Sequence, residues 1–188
     1  IKMLIGPIIF TTVVAGIAGI DPHDGPLGAA VWAEWLVDGD LGHEIDAREM
    51  PATWTTGYIP LRKKKPYELP VDRSEGEAYR LDPGFVEWAY QLTKDTPLAD
   101  TAAMQKRRAL YTGYPKAQRP PLVMKGDNLS SMTYWHGKIL NQWANDWVRY
   151  YSEGAGNYVT TAMEDTGTMQ SLTFLARAKR VDVRRVLV

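Results

Sequence analysis

The chain has 188 residues, 45% of them apolar and 11% aromatic, and its 22 Lys and Arg balance 22 Asp and Glu. That length suits one domain, able to bury roughly 70% of the surface that its unfolded form exposes. Cys is absent, which excludes a disulfide framework, Cys-ligated zinc, iron–sulfur clusters and a thiol nucleophile. The zero net charge gives no global basic excess for nucleic acid, and cysteine usage leaves the compartment open.

Residues 3–20 form an uncharged, mostly apolar stretch behind Lys2, marginal in length for a membrane span. Gly6, Pro7, Gly16, Gly19, the Thr11-Thr12 pair and the β-branched residues favour two buried strands over a helix. No small-residue cleavage site supports a signal peptide, and no other stretch is apolar enough to cross a bilayer, so no membrane span is expected.

Residues 28–37 read as a strand, Asp38-Gly39-Asp40 as a turn and 41–45 as a second strand. From 46 to 80 periodicity disappears: Pro51, Pro60, Pro66 and Pro70 break each element among scattered Trp54, Tyr58, Tyr67 and Tyr79. An irregular excursion of that length predicts a lid or an insertion over a surface. Its basic run, Arg62-Lys63-Lys64-Lys65, reads as a solvated loop.

Helical patterning follows over 82–94 and again over 100–111, where Asp100 suits the N-cap and Lys106, Arg107 and Arg108 the last turn. Leu122-Val123-Met124 predicts a buried strand, with Lys125-Gly126-Asp127-Asn128 at its end. Ser130 or Ser131 can cap a helix whose Trp135, Ile139, Trp143, Trp147 and Tyr151 recur every fourth residue, a core stripe rather than a ligand platform. Gly154 to Asn157 is a turn, Tyr158-Val159-Thr160-Thr161 a strand, 166–179 a helix and 181–188 a closing strand. There is no internal repeat or low-complexity tract. The alternation predicts one α/β domain with a covered, mainly parallel sheet, and ligands collect at the carboxyl ends of such strands.

Three segments lie there: Gly16 to His23, Gly126 to Ser130 and Thr161 to Asp165. Val13 to Ile20 runs a strand into small residues, either a tight turn or a backbone able to approach a ligand closely. It lacks the spacing of a Walker loop or a dinucleotide fingerprint. Thr161-Ala162-Met163-Glu164-Asp165 sets two carboxylates at a strand end. They either complement a helix dipole or hold vicinal hydroxyls, with Met against the apolar face of a sugar. His23, His43 and His136 fit no common metal spacing, so no metal is expected. His23, just after the glycine turn, is the one best placed for acid–base work or for touching a ligand. Ser130 and Ser131 lack the G-x-S-x-G context of a hydrolase elbow.

The motifs together resemble the purine nucleoside permease family: Ala15-Gly16-Ile17-Ala18-Gly19-Ile20-Asp21-Pro22-His23, Glu44-Ile45-Asp46-Ala47-Arg48-Glu49, Trp54-Thr55-Thr56-Gly57-Tyr58, Tyr134-Trp135-His136-Gly137-Lys138 and Thr160-Thr161-Ala162-Met163-Glu164-Asp165. That family is similar in turn to the nucleoside phosphorylases and nucleosidases. The resemblance implies a three-layer α/β/α fold around a mixed, partly barrel-like sheet. It implies that Ala18 and Gly19 form the turn by a phosphate or water site, and that Met163 and Glu164 hold the ribose. Gly126, Asp127 and Asn128, with His23, are expected at the base pocket. Ile17 stands where those enzymes commonly carry a hydroxyl residue. The resemblance further implies segments missing before Thr11 and after Val188, and a homo-oligomer.

The leading expectation is purine nucleoside recognition with cleavage of the N-glycosidic bond, by phosphorolysis or hydrolysis. No cofactor is expected, with inorganic phosphate as a candidate co-substrate. Such catalysis requires anchored hydroxyls and a protonated base. The alternative is a non-catalytic nucleoside-binding component of nucleoside uptake. A carbohydrate-binding or protein-interaction module built on the seven Trp and ten Tyr is the third class, weakened by the core stripe.

Overall fold

The computed structural model describes residues 11–68 and 74–188. Among these, the central element is a mixed sheet in the order β2 (Gly19–Ile20), β10 (Tyr158–Ala162), β9 (Asp127–Ser130), β4 (Trp35–Asp38) and β7 (Ala78–Arg80). The inner strands β10, β9 and β4 run parallel, and β2 and β7 close the two edges antiparallel. The sheet is therefore mixed rather than mainly parallel. Outside it, β3 (Ala30–Trp32) pairs with β8 (Val123–Lys125) and β1 (Thr12–Val13) with β11 (Val186–Leu187), both parallel. An antiparallel pair joins β5 (Gly42–Glu44) to β6 (Tyr58–Pro60).

One interruption organises the middle of the fold. Trp32 pairs with Lys125 and Leu36 with Asn128, so the chain from β3 to β4 takes one residue more than the chain from β8 to β9. An extra residue of this kind frees backbone groups from the ladder. Asp127 Oδ1 accepts from the amides of Glu34 and Trp35, at 3.2 and 2.7 Å, and Oδ2 accepts from the amide of Asn157 at 2.6 Å. Beside it, a Cβ on Gly126 would lie 2.3 Å from Val159 Cβ. Only glycine lets the two strands approach so closely.

Successive strand residues face opposite sides, and β4 shows what each side holds. Val37 joins Leu129, Tyr158 and the aromatic face of α3 (Lys138–Tyr151), including Trp143, Trp147 and Tyr151. Leu36 joins Val86 and Ala89 of α1 (Pro83–Thr93), Met169 of α4 (Asp165–Arg177), and Val186 and Leu187.

Several elements differ from the sequence reading. Residues 11–20 hold only the short β1 and β2, and they are not buried: Val13 is 53% exposed and Ile17 fully exposed. The strand expected at Met3 to Ile5, like Pro70, lies outside the described residues. The helix over 82–94 is α1, with Asp82 capping through the Phe85 amide. The next helix, α2 (Ala102–Arg108), is capped by Thr101 because Asp100 is taken by an ion pair with Arg108 at 2.7 Å. Helix α3 starts only after Gly137, at φ +92°. Ser131 Oγ and the Met132 amide donate to Asp40 at 2.6 and 2.8 Å, which holds 131–132 out of the helix. Ile139 is exposed, and Trp135 packs edge-on against Trp143 from the preceding loop. The closing strand shrinks to β11 behind a 3₁₀ turn at Val183–Arg185, capped by Asp182. Within the 46–80 excursion lie β6 and β7, and Arg62 donates to the buried Glu77 at 3.0 Å. That arginine anchors the loop while its side chain stays half exposed.

Candidate functional site

Small residues shape the segment between β1 and β2. Its ends are tied by the Val14 amide to the Leu187 carbonyl and by the Asp21 amide to the Val159 carbonyl, at 2.9 and 2.8 Å. Between those ties a Cβ on Gly16 would stand 3.5 Å from Glu164 Oε1, and one on Gly19 would stand 2.7 Å from Thr161 Cγ2. The glycines thus bring the loop backbone against the end of β10. There β10 gives way to α4, with Glu164 at the cap position and no capping bond from its side chain. The Glu164 side chain is exposed, and Oε2 accepts from the Met163 amide at 3.3 Å.

A cleft of about 470 Å³ opens at this point, bounded by residues 13–20, by 26–33 and by Thr93, Thr96 and Leu98. Val123, Asn128, Thr160, Ala162, Glu164, Asp165 and Val188 complete its lining. The volume falls within the range of small-ligand pockets, and an apolar wall with a few convergent polar groups is their usual construction. Asn128 is held from both sides: its Nδ2 donates to Thr160 Oγ1 at 3.3 Å, and its Oδ1 accepts from Ser130 Oγ at 3.0 Å. Ser130 Oγ accepts in turn from the Thr166 amide at 3.3 Å, and Thr166 Oγ1 donates to Asp38 at 3.1 Å. This network rigidifies the floor.

Among the described residues, Glu164 and Asp165 are the only titratable side chains in the lining, and it contains no Lys, Arg or His. Asp165 is buried, and that burial, followed by the neighbouring Glu164 charge, pushes its carboxyl up to about 6. A site with this charge suits neutral ligands rich in hydroxyl or amino donors rather than anions.

The structure brings together four of the residues singled out from sequence, Ala18, Gly19, Asn128 and Glu164. Met163 is 41% exposed beside Glu164 and does not line the cleft. Gly126 and Asp127 stand outside the lining and serve the strand interruption, because Val159 and three backbone amides occupy them. His23 is also outside: its Nδ1 and its amide both meet Asp21 Oδ1, at 3.0 and 2.8 Å, and its ring packs edge-on against Tyr114. Asn145 of α3 holds the other oxygen of that buried aspartate at 2.7 Å. Of the quoted motifs, Glu44 to Glu49 and Trp54 to Tyr58 meet through the β5–β6 pair, where Tyr58 stacks on Trp143 at 4.3 Å. That places them in packing, away from the cleft lining. Sequence reasoning missed Trp32, whose Nε1 donates to Thr93 Oγ1 at 2.8 Å, both residues lining the cleft. No local signal links a strand tryptophan to a threonine on another element.

The family model for purine nucleoside permease (NUP) matches residues 11–188. The chain is 27% identical over 183 residues to a probable purine nucleoside permease of Schizosaccharomyces pombe, covering 93% of this chain and 52% of that protein. It is 28% identical over 179 residues to a purine nucleoside permease of Candida albicans, covering 93% of this chain and 44% of that protein. The chain thus spans about half the length of the curated relatives it matches. No solved structure matches it. Among the described residues no helix is long and apolar enough to cross a membrane. The expectation of glycosidic-bond cleavage is overturned, because both the matching family and the relatives are permeases, and the uptake alternative fits them better. The chain belongs to the purine nucleoside permease family.

Proposed function

We propose that this chain is a nucleoside-binding part of a purine nucleoside uptake protein and that it holds its ligand in the cleft beside Glu164. The observation that carries the reading is the Glu164 carboxylate, standing over Gly16 at a cleft whose lining has no cation among the described residues. An ionised carboxylate accepts from both hydroxyls of a vicinal diol, and charge-assisted bonds of this kind are the stronger ones. Ala18 and Gly19 expose backbone beside it, and Asn128 offers an amide already oriented by Thr160 and Ser130. The ribose belongs at this polar end. The base belongs toward Val31, Trp32 and Leu98, where the wall is apolar. The same reading takes the architecture as akin to the three-layer nucleoside phosphorylases, supported by the two separate cores that Leu36 and Val37 enter.

Calorimetric titration of adenosine and inosine into the full chain tests this function. Saturable binding is expected, weaker for 2′-deoxyadenosine and weakened about ten- to hundredfold by Glu164→Gln, with the nucleoside recovered intact by chromatography. Equal affinity of the wild-type and Glu164→Gln chains would remove Glu164 from the site.

A further inference from the structure

Four carboxylates are deeply buried among the described residues, and three of them are satisfied. Asp21 accepts from His23 and Asn145, Glu77 from Arg62 and Ser74, and Asp127 from three backbone amides. The fourth, Asp165, is 6% exposed and has no hydrogen bond or ion pair to its side chain. It lines the cleft next to Glu164. Of the remaining charges on the elements packed against α4, Asp38 is engaged by Thr166, Arg80 by Glu34 and Arg184 by Asp182, while Arg185 donates to Thr11 through its guanidinium end and keeps an unpartnered Nε. Glu164 is the one charged neighbour that acts on Asp165, and it repels.

The Asp165 oxygens are not sealed from solvent, so water meets the carboxylate until a ligand takes its place. A ligand seated in the cleft strips water from both acids at once. Two adjacent carboxylates then cannot both remain ionised, and the proton goes to the more buried one. Glu164, being exposed, stays the acceptor for hydroxyls.

We propose that Asp165 contacts the bound nucleoside as a neutral carboxylic acid, donating a hydrogen bond to an oxygen of the ribose, so that binding takes up one proton from solvent. The step adds a proton from water or buffer to the Asp165 carboxylate and neither makes nor breaks a bond in the ligand. The inference rests on the nucleoside-binding reading above and assigns to that site a proton linkage. An uptake protein built this way captures its cargo more tightly on the more acidic side of a membrane.

Calorimetry with adenosine on the full chain tests it, run near pH 7 in phosphate and in Tris, whose ionisation heats differ. The expected result is proton uptake approaching one per adenosine. Affinity should fall by up to about tenfold per pH unit from roughly pH 6 upward. Asp165→Asn, which keeps a donor, should still bind but lose both the uptake and the pH dependence. Adenosine binding with identical heats in the two buffers would overturn the inference and leave the nucleoside site standing, as would uptake that persists in Asp165→Asn. Absence of adenosine binding by the wild-type chain near pH 6 would overturn the nucleoside reading and this inference with it. The two-buffer comparison on the wild-type chain decides the matter even if the variant does not fold.

Discussion

Asp127 and Asp165 are buried to the same extent, 6% exposed each, and their surroundings are opposite. At Asp127 three backbone amides, freed by the interruption between β3 and β4 and by the turn before β10, converge on one carboxylate. Burial raises its carboxyl above the ordinary range while those amides pull it back down. At Asp165 no hydrogen bond pulls back: burial and the Glu164 charge act in the same direction. The contrast separates a carboxylate that closes the fold from one left open toward a cleft. Asp165 lines the cleft and Asp127 does not.

Variants on each side of this contrast can break it. The largest effect is expected for Asp127→Ala, which leaves three backbone amides without their acceptor and should cost about 2–4 kcal/mol in urea unfolding. A loss under about 1 kcal/mol would mean that the interruption is held by something else. Gly126→Ala, forcing its methyl onto Val159, should cost roughly 1–3 kcal/mol and leave adenosine affinity within about twofold. Glu164→Gln should reverse that pattern, with unchanged unfolding within about 0.5 kcal/mol and the binding loss given above.

Asp165→Asn gives a pH signature. The folded carboxyl lies near 6, above its ordinary value of 3.8, so the native state binds more protons between those values and becomes relatively more stable as pH falls through that window. Replacing the acid by Asn removes a penalty that is fully present above the folded value and absent below the unfolded one. The variant should therefore be more stable than wild type by roughly 1–2 kcal/mol near pH 8 and equal to it near pH 4. Thermal melts across pH check this, and parallel wild-type and variant curves would show that Asp165 does not titrate in that range. The smallest effect belongs to His23→Ala. Its ring partners are Asp21 and Tyr114, outside the cleft lining, so adenosine affinity should change by less than about twofold, a shift under ~0.4 kcal/mol. A larger loss would return His23 to the ligand.

Much of the order of elements was readable from the chain, because it depends on local pattern. The apolar run 122–124, the helix after Asp82 and the strand at Tyr158 declare themselves through periodicity and capping groups. Boundaries failed where a distant side chain competed for a cap. Asp100 went to Arg108 and Ser131 to Asp40, and neither partner can be read from the neighbouring residues. The site was legible in half. Gly16, Gly19 and Glu164 stood out as small residues and a carboxylate at strand ends, and the fold placed them against one another.

What the sequence determined by itself is the class of the molecule: an α/β chain without cysteine chemistry or a basic excess, carrying the motifs of the permease family. What only the tertiary structure decided is which of those motif residues are free to act. Gly126, Asp127 and Asn128 are consecutive, yet the first two are consumed by packing and by stranded amides while the third reaches the cleft. Glu164 and Asp165 are adjacent, yet one is solvated and the other buried without a partner. Neighbours along a strand or at a helix start point in different directions. Burial and hydrogen bonding are therefore assigned by the elements that pack around them, and those assignments exist only once the chain is folded.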